Sequence, residues 1–116
     1  MIYSIKGELT HTEQNLAVIE CGGVGYACRT TFTTLSQIGQ TGETVKLLTY
    51  LHVREDAVEL FGFYTQSELT CFKMLLSVSG AGPRTALAIL SDTTPEKFAL
   101  SVATGDAKAF TKTKGV

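Results

Sequence analysis

The sequence predicts an α+β chain: a small closed β-barrel over residues 1–63, followed by an all-helical domain over residues 64–116. Three observations carry that prediction. Up to residue 63 the apolar residues come in short runs, rich in β-branched and aromatic types and partly alternating, as half-buried strands require. From Thr65 the apolar period lengthens from two to about 3.6 residues, the spacing of helices, after a very short joint. With 44% apolar residues in 116, the chain can bury one real core, or one full core and part of a second.

The strands follow in order. Residues 1–9 alternate from the first methionine, and Leu16–Cys21 and Val24–Arg29 are β-branched runs separated by Gly22-Gly23, a tight-turn signal. The Gly22–Gly25 run does not make a phosphate loop, because no helix follows it directly. Residues 31–38 suit a short helical turn closed by Gly39 and Gly42. A long strand over residues 43–53 and another over 57–63 flank Arg54-Glu55-Asp56. Five strands with one short helical interruption suit a small closed barrel of the OB type. That fold commonly binds nucleic acid or sugars, but it hosts many activities and names none by itself. Aromatic residues are few and scattered, so no stacking platform for single strands is visible.

In the second half, Gln66–Val78 and Pro83–Ser91 read as helices joined by a two-glycine turn. Phe72, Leu75, Leu76 and Val78 are apolar at helical spacing, as are Ala86, Leu87, Ile89 and Leu90. Gly80 and Gly82 bracket Ala81 and are expected to supply the positive φ of a tight hairpin. Pro83 takes the first helical position, where its missing N–H costs nothing. Thr94-Pro95-Glu96 then opens a third helix ending near Gly105, and Asp106 caps a fourth over residues 107–111. Lys112, Thr113, Lys114, Gly115 and Val116 look like the first half of another glycine hairpin, so the chain is expected to be a piece of a longer protein.

The turn around Ala81 points the amides of Ala81, Gly82 and the next helix's first turn at one place, which suits a phosphate, with Arg84 adding positive charge beside it. A Walker loop is excluded because Pro83-Arg84 follows Gly82 in place of Lys-Ser/Thr. A Rossmann turn is excluded because a helix precedes the glycines and Thr85 stands where a third glycine belongs. The plainer alternative, an αα-hairpin with a glycine cap and nothing bound, stays open on these residues alone.

Charge and composition narrow the classes further. A formal net charge of −1 confines any nucleic-acid surface to a local patch. No apolar run approaches a membrane span, and nothing resembles a signal peptide. Cys21, Cys28 and Cys71 are odd in number, without zinc-like spacing and embedded in apolar runs, which fits buried, reduced thiols in a cytoplasmic protein. No metal or other cofactor is expected.

The pattern V-x-G-A-G-P-x-x-A-x-x-I-L from Val78 to Leu90 resembles a helix-hairpin-helix, a module that grips nucleic-acid backbone without reading sequence. Together with Met1-Ile2, G-G-V-G-Y at 22–26, V-R-E-D-A at 53–57 and L-F-G-F at 60–63, the chain resembles the RuvA family, whose members bind Holliday junctions. Each motif alone is weak; their order and spacing run over nearly the whole chain.

The resemblance implies a homotetramer, or two stacked tetramers, that holds a four-way DNA junction open and flat. It also implies an ATP-driven ring motor, RuvB, and a resolvase, RuvC, as partners of the full-length protein. The family's acidic pin matches Glu55 and Asp56, which from sequence alone would pass for a solvated turn. Its first hairpin matches Ser79, Gly80, Ala81, Gly82, Arg84 and Thr85, and its second would begin at Lys114-Gly115. Arg29 and Arg54 match barrel positions where a basic residue faces DNA, although a solvated-face role fits Arg29 equally. The resemblance also implies a third, motor-contacting helical domain, which is expected to lie outside these 116 residues.

Two classes of function follow: a non-catalytic junction-binding subunit, or an enzyme acting on DNA such as a nuclease or glycosylase. The second needs a carboxylate cluster or a Lys/Asp pair beside the hairpin. Asp92 is the nearest acid downstream and stands alone, and His11 and His52 are far apart in sequence and read as ordinary histidines. No catalytic residue is expected.

Overall fold

A computed structural model describes residues 1–78 and 82–92. The expected third and fourth helices, and Ser79, Gly80, Ala81, Lys114 and Gly115, lie outside the described residues. The chain divides into two compact units, Met1–Gln66 and a second that starts at Ser67.

The first unit is a closed barrel of five strands, β1 (Ser4–Glu13), β2 (Leu16–Cys21), β3 (Val24–Arg29), β4 (Thr44–Val53) and β5 (Val58–Phe63), joined laterally in the order β1-β2-β3-β5-β4. A short helix α1 (Phe32–Gln37) lies between β3 and β4 in sequence, as in an OB-type barrel. Side chains alternate as the strand period demands: Ile5 and Leu9 of β1, Ala17 and Ile19 of β2 and Val45 and Leu47 of β4 point inward. Cys28 and Ile38 complete that core, and Leu35 packs against it.

Gly22 and Gly23 carry the β2–β3 turn at φ 56° and 83°, the left-handed values of a two-residue hairpin loop. The first hairpin departs from the expected strand over residues 1–9. The strand begins at Ser4 and continues to Glu13, with a register shift between Leu9 and His11. Residues 10–13 are polar, so periodicity gives no sign of them. Backbone pairing with β2 extends the strand, and Asn15, at φ 61°, makes the turn. The Asn15 carbonyl accepts the Thr30 N–H at 3.0 Å and its amide donates to the Thr30 carbonyl at 3.2 Å, tying this turn to the end of β3.

The barrel closes through a short parallel seam in which Cys28 pairs with Leu60 and Arg29 with Phe61. Side chains lengthen it. The Thr30 hydroxyl donates to the Gly62 carbonyl at 2.6 Å, and the Arg29 guanidinium donates to Glu59. Thr31 caps α1 by accepting the Thr34 N–H, and the Thr34 hydroxyl in turn accepts the Tyr64 N–H.

In the second unit, α3 (Pro83–Ser91) buries Ala86, Leu87, Ile89 and Leu90, the stripe expected from spacing, whereas α2 (Gln66–Val78) buries Phe72 and Leu75 as expected together with Leu69, and Leu76 is half-buried. No helix among the described residues is long and apolar enough to cross a membrane. The three cysteines are free thiols. Cys28 and Cys71 are buried as expected. Cys21 is only half-buried, because its strand end leaves room for its thiol to donate to the Lys6 carbonyl at 3.0 Å.

Candidate nucleic-acid interface

The turn between β4 and β5 is a narrow hairpin. Val53 pairs with Val58, and the Arg54 N–H donates to the Ala57 carbonyl at 2.8 Å, leaving Glu55 and Asp56 as a two-residue tip. Both tip residues are exposed, the Asp56 side chain at 86%. Neither has a positive φ, so the tip is not built on the glycine-requiring turn geometry common in two-residue hairpins. The stem beneath it is apolar on its outer face, with Val53 and Val58 about two-thirds exposed, at 64% and 66%. An acidic point on a water-exposed apolar stem is thus the most protruding chemical feature of the β4–β5 turn.

Arg29 and Arg54 are not simple solvated cations on the barrel wall. Both engage Glu59 of β5, a residue that sequence reasoning missed. Arg29 Nε donates to Glu59 Oε2 at 2.8 Å, and Arg54 Nη2 stands 3.8 Å from Glu59 Oε1. The Glu59 side chain is 12% exposed, whereas those of Arg29 and Arg54 are 38% and 50% exposed. Arg54 Nε also lies 4.0 Å from Asp56 Oδ1, so the charges run Arg29, Glu59, Arg54, Asp56 from the barrel seam to the hairpin tip. In the sequence Glu59 is one more alternating residue of Val-Glu-Leu-Phe. Only the lateral closure of β3 on β5 brings it to Arg29, 30 positions away.

The remaining described site residues belong to the second unit. Gly82 is the N-cap of α3, Pro83 its first residue, and Arg84 and Thr85 follow in the first turn. The Gly82 carbonyl accepts the Ala86 N–H at 3.0 Å, and Gly82 brings no side chain to cap the turn. Its backbone corrects an expectation: φ is −74° and ψ 167°, ordinary extended geometry and not the positive φ of a hairpin glycine. The reason is its place as an N-cap before Pro83, since proline drives the preceding residue to extended conformations. A Cβ placed on Gly82 would meet nothing within 4 Å among the described residues. Arg84 is exposed.

Of the two histidines, His52, on β4, is the cross-strand partner of Glu59, and His11 lies on β1. His11 Nε2 is 2.8 Å from Glu13 Oε2 on an exposed strand end, while His52 stacks on Tyr50 with ring centroids 6.3 Å apart.

Comparison with known proteins places these features in a family. Residues 1–62 match the family model described as the RuvA N terminal domain, and residues 72–116 match a SAM-like helix-hairpin-helix tandem. Over all 116 residues the chain is 45% identical to a protein of Acetivibrio thermocellus, 42% to one of Ruminiclostridium cellulolyticum and 47% to one of an Arthrobacter species. Each of these is named Holliday junction branch migration complex subunit RuvA. The chain spans 57%, 58% and 54% of their respective lengths.

Proposed function

The chain belongs to the RuvA family, and from that premise we propose that it binds four-way DNA junctions as the DNA-holding part of a branch-migration complex. The observation that carries the proposal is the β4–β5 hairpin. Two adjacent carboxylates stand at an exposed tip, with Arg54 at its base and Arg29 behind it at the barrel seam. A linear duplex offers such a tip only repulsion from phosphates. A junction opened flat offers a hole at its centre, where the tip keeps strands apart while cations set back from it meet the surrounding backbone.

The second contact is the start of α3. Helix N-termini attract anions through unpaired amides and the helix dipole. Gly82 has a backbone conformation open to any residue, and among the described residues nothing crowds the place of its Cβ. Its missing side chain therefore favours close approach by something outside the described residues, and a phosphate fits the neighbouring Arg84. Thr85 adds a first-turn amide to the same end. Ser79, Gly80 and Ala81 would complete this hairpin, and Lys114 and Gly115 would begin a second, as the family resemblance implies.

The finer reading is a homotetramer in which four hairpin tips meet at the crossing, with the RuvB motor acting on the arms and RuvC cutting in the full-length assembly. Exposed Tyr3, Val24, Val53, Val58 and Tyr64 supply apolar surface for subunit contacts. No catalytic role falls to this chain in that reading. Light scattering with and without a synthetic four-way junction tests it: the mass should correspond to four chains, or eight, on one junction. A monomer that ignores junction DNA at micromolar concentration would refute the proposal.

A further inference from the structure

We propose that Glu59 is a specificity-determining residue that withholds Arg29 and Arg54 from ordinary duplex backbone and releases them only to the dense phosphates of a junction. The inference rests on the junction-binding reading and adds to it a residue with no place in the pin or in the helix-hairpin-helix.

A cation that grips phosphate anywhere along DNA adds equally to binding at every site, so it contributes affinity without selectivity. Free arginines at these two positions would do this. Here the Glu59 carboxylate faces both, at 2.8 Å from Arg29 Nε and 3.8 Å from Arg54 Nη2, and it is the most buried member of the group. Burial matters because a sheltered carboxylate is screened less by salt than an exposed one and competes better for its partners. A single duplex phosphate arriving at the exposed side of either arginine must overcome that internal pairing. At a crossing, phosphates of several strands converge and their potentials add. Arg29 hydrogen-bonds Glu59 through Nε, and among the described residues no hydrogen bond occupies the Arg29 Nη atoms. An incoming phosphate can therefore engage the outer edge of the Arg29 fork before the inner contact breaks.

Glu59 also helps to hold the β3–β5 seam, so the test must separate selectivity from stability. Glu59→Gln keeps the shape and an acceptor for Arg29 Nε while removing the charge. Glu59→Asp keeps the charge and withdraws it by one methylene. Glu20→Gln, an exposed strand carboxylate, controls for net charge alone. Each folded variant is measured by heparin-column elution, and by titration against linear duplex and against a four-way junction at several salt concentrations. Thermal unfolding verifies the fold.

Glu59→Gln should elute from heparin later than Glu20→Gln, bind duplex about tenfold tighter at low salt, and steepen the duplex salt dependence by about one unit of slope per released arginine. Glu59→Asp should shift the same way by less, at unchanged net charge. Junction affinity should rise less than duplex affinity, so the ratio between them falls. Adding Arg29→Gln to Glu59→Gln should remove much of the gain. Arg29→Gln alone should lower junction affinity several-fold more than duplex affinity, a measurement that needs no Glu59 variant to fold.

A Glu59→Gln shift no larger than that of Glu20→Gln, weaker duplex binding, or a gain that survives Arg29→Gln overturns the proposal. A parent protein that binds junction and duplex equally defeats the junction reading instead. The heparin series still decides whether Glu59 restrains the arginines.

Discussion

Changing Glu55 and Asp56 together to Gln and Asn isolates the hairpin tip. In the free protein the two carboxylates stand in water, with Asp56 only 4.0 Å from Arg54 in a pair that is half-exposed or more on both sides. Surface pairs of this kind are worth about 0–1 kcal/mol, so the double change should leave the unfolding midpoint almost where it was. In a junction complex the balance differs. A carboxylate ~6 Å from a phosphate costs about 0.7 kcal/mol if water still separates them, and about 2.8 kcal/mol at the effective dielectric of a protein surface. Two such groups per subunit therefore oppose binding by at least about 1.4 kcal/mol, roughly a factor of ten in affinity. Screening over ~10 Å at 0.1 M salt should cut that gain by about half in free energy, leaving roughly threefold. The assay is a titration of parent and double mutant against a four-way junction and a linear duplex of matched sequence, at low and moderate salt. The mutant should bind the junction about tenfold tighter at low salt, with a clearly smaller gain on duplex. Equal gains on the two DNAs would refute the pin and leave only a barrel with a phosphate-binding hairpin. Full-length protein carrying the same changes should lose controlled strand separation while binding better.

Three further outcomes are expected. Arg84→Ala should weaken binding to every sequence about equally and lower the salt slope by about one unit, as a phosphate contact requires; an altered sequence preference in binding assays would contradict it. Gly7→Ala should destabilise the barrel by about 1–3 kcal/mol in thermal unfolding, because its Cβ would collide with the Glu20 carbonyl oxygen, whereas Gly82→Ala should unfold like the parent and still lose DNA affinity. Cys28, its thiol pushed up to about 12 by burial and by neighbouring Cys21, should resist alkylation at pH 8 in the folded protein by mass spectrometry. The same shift fixes a sign for pH. Above about 9 the unfolded chain ionises this thiol and the folded one does not, so its contribution to stability is complete below pH 9 and declines between 9 and 12.

Much of the fold was legible because it rests on local rules. Gly22-Gly23 announced a hairpin, Pro83 a helix start, and the spacing of Ala86, Leu87, Ile89 and Leu90 a buried stripe, and each is found where those rules put it. Glu55 and Asp56 were visible as a turn, though only the family resemblance gave them a role. The features that escaped depend on lateral neighbours. The polar end of β1 is a strand because β2 lies beside it. The seam joins β3 to β5 through two backbone pairs, each between residues 32 positions apart. Glu59 escaped for the same reason, since periodicity places it on the outside of β5 without saying that Arg29 stands next to it. Gly82 misled in the opposite direction. A glycine before Pro83 suggested unusual φ, and proline had already imposed an ordinary one.

A junction-binding chain should prefer a DNA crossing to linear duplex. A labelled four-way junction bound at moderate salt, challenged with rising concentrations of unlabelled junction or of linear duplex with the same arm sequences, measures that preference directly. Unlabelled junction should displace the label at near-equimolar amounts, while duplex should need an excess of a hundredfold or more, on the order of the discrimination that about 2–3 kcal/mol provides. Displacement by duplex and junction at the same nucleotide concentration would contradict it.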